Sequence, residues 1–481
     1  MGEEITTSHF TEDDFMRFKQ RLNCETEELR CWFNEHRFSS HQPVAGYEME
    51  AWLIDKQARP AACNGPFLKA ANTPLYTAEL AQFNIELNAQ PANIGANFLS
   101  EFESDLQQHW LYCKTIAEGI GCRVLSTGIL QTLRDTDLSI KNISPMLRYK
   151  ALNEQVLLQR KGRPLCLNIS GHQSLKSEHY NVMLEAAATS LQIHLQAPID
   201  MAHHYYNASL LISAPMVAIS ANSPYMFGRD LWSETRIPVF EQAVDIGGYS
   251  GAAQGPLHRV SFGTDYAHHS LMECFDENVQ HYPVLLPMKF SDDSSRMRTV
   301  SLHNGTVWRW NRPLIGFDDD GTPHVRIEHR VIPGGPSMLD NIANMAFYFG
   351  LVEYYANGEK PPAELLTFSQ ARDNFYTSAR HGLQTKINWP DSERCDMRHL
   401  ILNKLINHAE LGLNQLKLDA KDIKYYLGVI QSRAELQQTG SQWQREFVAR
   451  QGGDMQRLLE TYYHNQQSGE PVHRWDFASY V

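Results

Sequence analysis

Apolar residues recur at helical spacing in several stretches of the chain. Between residues 10 and 40 they lie among charged residues close to the helical period, at Phe15, Phe18, Leu22, Leu29 and Trp32, which predicts an amphipathic helix. Residues 96–119 show the same pattern. Further helices are predicted at about 146–159, 203–217 and 339–356.

Other stretches alternate between polar and apolar residues, which is the period of a strand. Between residues 44 and 90 such segments are short and are separated by turn signals such as Asn64-Gly65-Pro66. Strands are predicted at Gly46–Glu50, Phe83–Leu87, Cys122–Leu130, Leu191–Leu195 and Val325–Arg330. Successive side chains of a strand point to opposite faces, so Glu48 and Glu50 share a face.

The order of these elements favours an α+β fold. Helices are inserted between separated strands rather than in repeated βαβ units. The chain has no Gly-x-Gly-x-x-Gly and no Walker-type loop, so the Rossmann and P-loop interpretations lose their main support. After Pro361-Pro362 the composition changes, and residues 397–465 are mostly helical in pattern. We therefore predict a catalytic domain at 1–375 and a helical C-terminal subdomain at 376–481.

Composition and charge narrow the classes of partner. The 481 residues include 43 Lys and Arg against 55 Asp and Glu, a formal net charge of −12. Nucleic acids and anionic membranes bind preferentially to basic patches, so neither is expected as a partner of this acidic chain. None of the 8 cysteines forms a Cys-x-x-Cys pair, and no basic-then-apolar leader is visible. These features predict reduced thiols and a soluble, cytoplasmic protein.

Acidic residues on three predicted strands suggest a metal centre. Glu48 and Glu50, then Glu86, and later Glu328 each lie on an alternating segment. If these strands meet in one cavity, their carboxylates would bind a hard divalent cation through oxygen. The alternative for any single segment is a half-buried strand with a solvated outer face.

Taken together, the motifs resemble those of the glutamate–cysteine ligase family, in its bacterial carboxylate–amine ligase branch. The resemblance covers about residues 40–355 and rests on motif order. The motifs are Gly46-Tyr47-Glu48-Met49-Glu50, Glu79 with Glu86, Arg148-Tyr149, Leu191–Leu195, Ser220-Ala221-Asn222-Ser223-Pro224-Tyr225, Arg312-Pro313 and the strand ending at Arg330.

This resemblance implies a glutamine synthetase-like fold, with a largely antiparallel, funnel-like sheet flanked by helices. It implies an ATP-dependent ligase that forms an amide through an acyl phosphate, and glutamate–cysteine ligase itself is one candidate. The implied cofactors are ATP and Mg²⁺, with Mn²⁺ as an alternative. The implied partners are small-molecule acids and amines, amino acids above all, and a homo-oligomer is left open.

The resemblance also implies roles for individual residues. Glu48 and Glu50 would bind two different metals, with Glu328 beside Glu48, and Glu86 and Glu79 beside Glu50. Related sequences often carry His-x-His where this chain has Gln192-Ile193-His194, so either Gln192 or His194 would be a ligand. The arginines expected at the nucleotide are Arg330, Arg312 and Arg236, the first two as catalytic groups. The residues expected at the substrate are Arg148, Tyr149 and Asn222.

Two other functions compete with the ligase. A phosphotransferase of the guanidino kinase type could use the same metals on the same scaffold without forming an amide. A non-catalytic regulatory relative could keep the fold, although the intact set of carboxylates argues against it. The adjacent His203 and His204 do not suggest a further metal site, because neighbouring helical residues point about 100° apart.

Overall fold

The computed structural model describes residues 5, 7–39, 43–246, 258–290 and 296–479, and one eight-stranded sheet lies at its centre. The strands are β1 (Val44–Ile54), β2 (Tyr76–Ala78), β3 (Asn84–Asn88), β4 (Ala92–Asn93), β5 (Arg123–Leu125), β6 (Leu165–Ser170), β7 (Ser174–His179), β8 (Ser190–Gln196), β9 (Tyr225–Met226), β10 (Arg229–Asp230), β11 (Val260–Ser261), β12 (Trp308–Arg309), β13 (Asn311–Phe317), β14 (Pro323–Pro333), β15 (Lys386–Trp389) and β16 (Ser392–Asp396).

Helices surround this sheet and make up most of the C-terminal part. They are α1 (Glu12–Asn34), α2 (Asn64–Ala71), α3 (Phe98–Gly119), α4 (Leu147–Gln159), α5 (Ala202–Ser220), α6 (Arg236–Ala243), α7 (Met272–His281), α8 (Arg298–Gly305), α9 (Met338–Ala356), α10 (Pro362–Leu365), α11 (Phe368–His381), α12 (Met397–Leu400), α13 (Ile406–Gln415), α14 (Ala420–Leu436), α15 (Gly440–Gln451) and α16 (Met455–Gln467). None of the helices in the described ranges combines the length and the apolar character that a bilayer crossing requires.

The central sheet has the strand order β13-β14-β8-β1-β3-β2, and β4 and β5 also pair with β1. Every pairing in it is antiparallel. The predicted α+β class with a largely antiparallel sheet is therefore confirmed. In sequence β8 and β14 lie far from β1, so the centre of the sheet is built from distant segments.

The two faces of this sheet differ in polarity because each strand alternates. On one face Met49, Leu191 and Ile327 point into the core, where all three are fully buried. The long helices α5 and α9 pack against this apolar side, and the ring of His329 stacks on Tyr348 of α9 at 4.4 Å. The opposite face carries the glutamates that the sequence pattern identified.

The boundaries of several predicted elements differ from those observed. The first helix ends at Asn34 rather than near residue 40, and His36 just beyond it adopts a positive φ of 52°. The predicted strand Cys122–Leu130 is a strand only at Arg123–Leu125, because only these residues pair with β1. Short apolar runs often fail as strand predictors when no partner strand is present.

The C-terminal helices pack closely on the sheet-bearing part of the chain. A Cβ atom on Gly412 of α13 would lie 1.9 Å from the backbone oxygen of Gly350 of α9, so only glycine allows this approach. Arg433 of α14 also forms a buried ion pair of 2.7 Å with Asp340. The boundary predicted between residues 375 and 376 falls inside α11, and the division into two domains stays a prediction.

Candidate active site

A first cluster on the polar face joins three strands. The register places Glu48 of β1 opposite Gln192 of β8, and His194 of β8 opposite Glu328 of β14. His194 Nε2 lies 3.5 Å from Glu48 Oε1 and 3.8 Å from Glu328 Oε1. The ligand atoms of Glu48, His194 and Glu328 all lie within 4.8 Å of one another, as in a site that could hold a metal ion.

Two arginines fix Glu328 in this first cluster. Arg312 donates from Nε and Nη2 to the two carboxylate oxygens at 2.8 and 2.9 Å, and Arg330 Nη1 donates to Oε2 at 3.1 Å. Burial raises the pKa of Glu328, but the charges of Arg312 and Arg330 outweigh it and hold the pKa well below its usual range. Glu328 is therefore an anion at neutral pH.

His194 is neutral in this arrangement. Burial lowers its pKa to about 3, and Arg326 Nε donates to Nδ1 at 3.1 Å. A neutral imidazole that accepts at one nitrogen carries its proton on the other, so Nε2 bears the hydrogen. Binding of a cation by Nε2 therefore requires Arg326 to release Nδ1.

A second cluster lies on the same face, one step along β1. Glu50 of β1, Glu86 of β3 and Glu79 in the turn before β3 also place ligand atoms within 4.8 Å of one another. Burial, together with the nearby charges of Glu185 and Glu86, raises the pKa of Glu50 to about 8. The pKa of Glu79 is also raised well above its usual value by burial and by Glu86 and Glu50. The carboxylates of this cluster are therefore not fully compensated by positively charged groups of the protein around them.

Glu185 is a member of this neighbourhood that the sequence analysis missed. It lies in a short helical turn, Val182–Ala187, and contributes to the raised pKa values of Glu50 and Glu79. Burial raises its own pKa to about 7. The available signal was a single glutamate inside an otherwise apolar run, since Lys, Glu, Arg and Asp are seldom buried without a partner.

Gln192 connects the two clusters. Its Nε2 donates to Glu50 Oε1 at 3.1 Å, and its Oε1 accepts a hydrogen bond from Arg330 Nη1. For the first cluster the geometry favours His194 over Gln192, and the choice of metal ligand stays a prediction. His194 lies with Glu48 and Glu328, whereas the carbonyl oxygen of Gln192 is engaged by Arg330.

Each cluster opens into a cavity. The larger cavity, about 860 Å³, is lined by Glu48, His194 and Arg326 together with the turn at Asp318 to Asp320. The smaller, about 340 Å³, is lined by Glu50, Glu79, Glu185 and Arg330. Arg330 thus contacts the first cluster through Glu328 and faces the cavity of the second.

Arg148 and Tyr149 line the smaller cavity, and their role in contacting a substrate stays a prediction. Arg148 Nη2 donates to the Tyr149 hydroxyl at 2.8 Å and to the backbone oxygen of Ala78 at 3.1 Å. The Tyr149 hydroxyl donates to the same oxygen at 2.8 Å. These bonds attach both side chains to the residue before Glu79.

Two arginines expected at the nucleotide, Arg312 and Arg236, line neither cavity. The guanidinium of Arg312 is used on Glu328. Arg236 is buried, donates to the backbone oxygens of Arg330 and Val331, and pairs with Glu234 at 3.4 Å. These contacts position other residues of the site, and a direct role of either arginine at the nucleotide stays a prediction.

Asn222 is also remote from the two clusters and is fully buried. Its side-chain amide donates to the backbone oxygen of Gly334 at 2.7 Å and to the hydroxyl of Tyr462 at 2.8 Å. Its side-chain oxygen accepts from Gln444 at 3.1 Å. The motif around Asn222 therefore ties the C-terminal helices to the catalytic part, and Asn222 is not among the described residues that line the two cavities.

Paired carboxylate clusters beside arginines on one sheet face are typical of enzymes that bind a metal–nucleotide complex. The model of the glutamate-cysteine ligase family 2 matches residues 44–461, most of the chain. The chain therefore belongs to this family, and it is an ATP-dependent ligase that joins a carboxylate to an amine. The resemblance noted in the motifs is confirmed.

One solved structure supports the fold. Glutamate–cysteine ligase from Francisella tularensis, solved in complex with AMP, is 12% identical, covers 92% of this chain and 91% of its own, and has a TM-score of 0.53. A bifunctional glutathione synthetase from Pasteurella multocida is 10% identical over 95% of this chain and 55% of its own, with a TM-score of 0.48. No curated protein matches the sequence.

Proposed function

We propose that this ligase activates its acid substrate as an acyl phosphate, with ATP and Mg²⁺ or Mn²⁺, and that an amine then displaces the phosphate. One observation carries the proposal: two carboxylate clusters, each at its own cavity, flank the single guanidinium of Arg330. Transfer of the γ-phosphoryl group needs cations on the phosphates and a donor fork between the nucleotide and its acceptor.

The residues present fit divalent cations. Buried Glu48 Oε2 and Glu86 Oε2 have no hydrogen-bond partner among the described residues, and unsatisfied buried polar atoms are otherwise rare. We assign one cation to Glu48, Glu328 and His194, and another to Glu50, Glu79 and Glu86. When bound, these cations would neutralise the phosphate oxygens of ATP and of the acyl phosphate.

The arginines would act in different ways. Arg330 faces the smaller cavity, and its buried Nε has no partner among the described residues, so this donor is available to a phosphoryl oxygen. Arg312 would hold Glu328 charged and in place, and Arg236 would hold the backbone of β14 at Arg330. Arg326 would act in the larger cavity, which has room for a nucleotide.

The smaller cavity would receive the acid and the amine. Arg148 offers a cation for a free carboxylate of the acid, and the Tyr149 hydroxyl holds Arg148 in position. The acid's reacting carboxylate would then lie at the Glu50 end, next to Arg330. We propose glutamate as the acid to test first. We also propose that the enzyme is cytoplasmic and acts on small molecules, without nucleic acid as a partner. A homo-oligomer is left open.

An oxygen-transfer experiment tests the acyl phosphate. The acid is labelled with ¹⁸O in its carboxylate, and phosphate is collected after turnover with ATP, Mg²⁺ and an amine. Acyl-phosphate formation moves one labelled oxygen from the acid to the phosphate. A guanidino kinase would instead leave a stable phosphorylated amine, an acid that keeps all of its ¹⁸O, and no labelled phosphate, and this outcome would replace the ligase proposal.

A further inference from the structure

The smaller cavity is apolar over much of its wall beyond the carboxylates. Its apolar lining comes from α4, from the turn before β3, from α8 and from the segment after α7. The main members are Leu80, Leu152, Leu286, Met288, Phe290 and Leu302. At about 340 Å³ the cavity lies within the usual size range of small-molecule sites.

This wall is held in place by named contacts. Arg21 Nη1 donates to the backbone oxygen of Phe290 at 2.9 Å, and the Phe290 ring lies 4.6 Å from the Arg298 guanidinium carbon and 5.8 Å from that of Arg21. Fully buried Glu25 of α1 accepts hydrogen bonds from the backbone of Thr299 at 2.8 Å and so fixes the start of α8. The apolar surface is therefore preorganised.

The charges around the cavity are unevenly distributed. Arg148, Arg296 and Arg298 contribute to the lining. Among the described residues that line it, the carboxylates are Glu50, Glu79 and Glu185, all at the end occupied by the second cluster. In the part of the chain that the structure describes, the apolar wall thus provides no anion for a second cationic group on a substrate, while the arginines can hold a carboxylate.

We propose that the amine substrate is an amino acid with an uncharged, apolar side chain of leucine's size or larger. This inference rests on the proposed ligase function and specifies its second substrate. The side chain would bury against the wall formed by Leu152, Phe290 and Leu302. Each buried CH₂ group favours binding by about 0.8 kcal/mol, so leucine should exceed glycine on the order of 100-fold in kcat/KM.

Steady-state kinetics with glutamate as the acid test this order. Phosphate release is measured with ATP, Mg²⁺ and glycine, cysteine, lysine, leucine or phenylalanine as the amine. We expect kcat/KM to be highest for leucine and phenylalanine and lowest for glycine and lysine. Equal or higher values for cysteine or lysine would overturn the inference while leaving the ligase reaction intact.

A matched pair of variants on α4 locates the effect. Leu152 lines the cavity, whereas Leu158 on the same helix is 66% exposed. Leu152→Ala should lower kcat/KM for leucine about 10-fold and leave glycine and the KM for ATP unchanged. Leu158→Ala should change none of these values. An equal loss for glycine and leucine in Leu152→Ala would show a general defect and contradict the proposal.

Binding separates this inference from the ligase proposal. Calorimetry is performed on the intact protein with Mg²⁺ and a non-hydrolysable ATP analogue, and each amino acid is titrated in turn. If no pair of substrates supports turnover, the ligase proposal fails, yet tighter binding of leucine and phenylalanine than of glycine or lysine would still support the apolar site. Tighter binding of cysteine or lysine would refute it.

Discussion

Arg312 and Glu328 face each other across β13 and β14 and form a two-point ion pair, with Nε–Oε2 at 2.8 Å and Nη2–Oε1 at 2.9 Å. Each side chain is only 1% exposed. The fork matches the carboxylate at both oxygens, which is the strongest form of such a pair. Its role is to keep a buried metal-ligand candidate charged and oriented.

Arg312→Met should lower the free energy of unfolding by about 3 kcal/mol, because it leaves Glu328 with less compensation for its buried charge. Urea unfolding measures this loss. The double variant Arg312→Met/Glu328→Gln should lose less free energy of unfolding than the sum of the two single-variant losses, because the ion pair can be broken only once. Strictly additive losses would contradict a direct interaction.

Arg330→Lys should reduce kcat on the order of 100-fold, because lysine lacks the fork that reaches Gln192, Glu328 and a phosphoryl group together. Arg326→Lys is the matched control on the same strand. Arg326 contacts His194 through one nitrogen, so its replacement should have the milder effect. Similar, small losses in turnover for both variants at saturating ATP would mean that Arg330 does not contact the phosphate.

Glu86→Gln should raise the Tm of the metal-free protein by about 1–3 °C, because it removes one negative charge from the second cluster. Glu86 Oε1 accepts from Thr77 and Asn88, and the amide oxygen of glutamine can keep both bonds. The same variant should lose the stabilisation that Mg²⁺ or Mn²⁺ gives the wild type. Thermal unfolding with EDTA and with metal measures both effects.

The control for this variant is Glu101→Gln, an exposed glutamate in the first turn of α3. It should change neither the metal-free Tm nor the response to metal. If Glu86→Gln keeps the full metal response, the cation is not held by the second cluster.

Asn222→Ala should destabilise the protein by about 2–3 kcal/mol without changing the KM of any substrate. The change leaves Gly334 O, Tyr462 and Gln444 without their common buried partner. Unfolding midpoints measure the loss of stability, and steady-state kinetics on the folded variant measure the KM values. A raised KM at unchanged stability would restore the substrate-binding role that the motif implied.

Glu241 makes stability depend on pH. Burial raises the pKa of its carboxyl to about 7, although Trp310 and Tyr376 donate hydrogen bonds to Oε1. Between pH 4.5 and 7 the folded state holds a proton that the unfolded state releases, so this group's contribution to stability falls as pH rises.

Glu241→Gln keeps an oxygen acceptor for both donors and removes the titration. From pH 5 to pH 8 the free energy of unfolding of the variant should therefore rise by about 2 kcal/mol relative to that of the wild type. This value is smaller than the full pKa shift implies, because the side chain is partly exposed and water screens its charge. Urea unfolding at the two pH values gives this difference. A stability difference that is independent of pH would show that Glu241 is already ionised in the folded state at pH 5.

The alternation in Gly46–Glu50 determined by itself that Glu48 and Glu50 share a face, because the strand period is a local property of the backbone. Helical spacing likewise located α3, α4, α5 and α9 to within a few residues. The order of the motifs was enough to indicate the family and the α+β class. These features depend on neighbours in the sequence, so they could be predicted.

Only the tertiary structure decided which side chains meet. The pairing of β1 with β8 and of β8 with β14 brings His194 to Glu328, residues separated by more than a hundred positions, and no local pattern specifies that register. The tertiary structure also decided that Arg312, Arg236 and Asn222 form hydrogen bonds with other residues of the protein. It placed Glu185 beside the second carboxylate cluster. Hydrogen bonding and charge compensation in a buried site act between segments distant in sequence, so they exist only once the sheet has assembled.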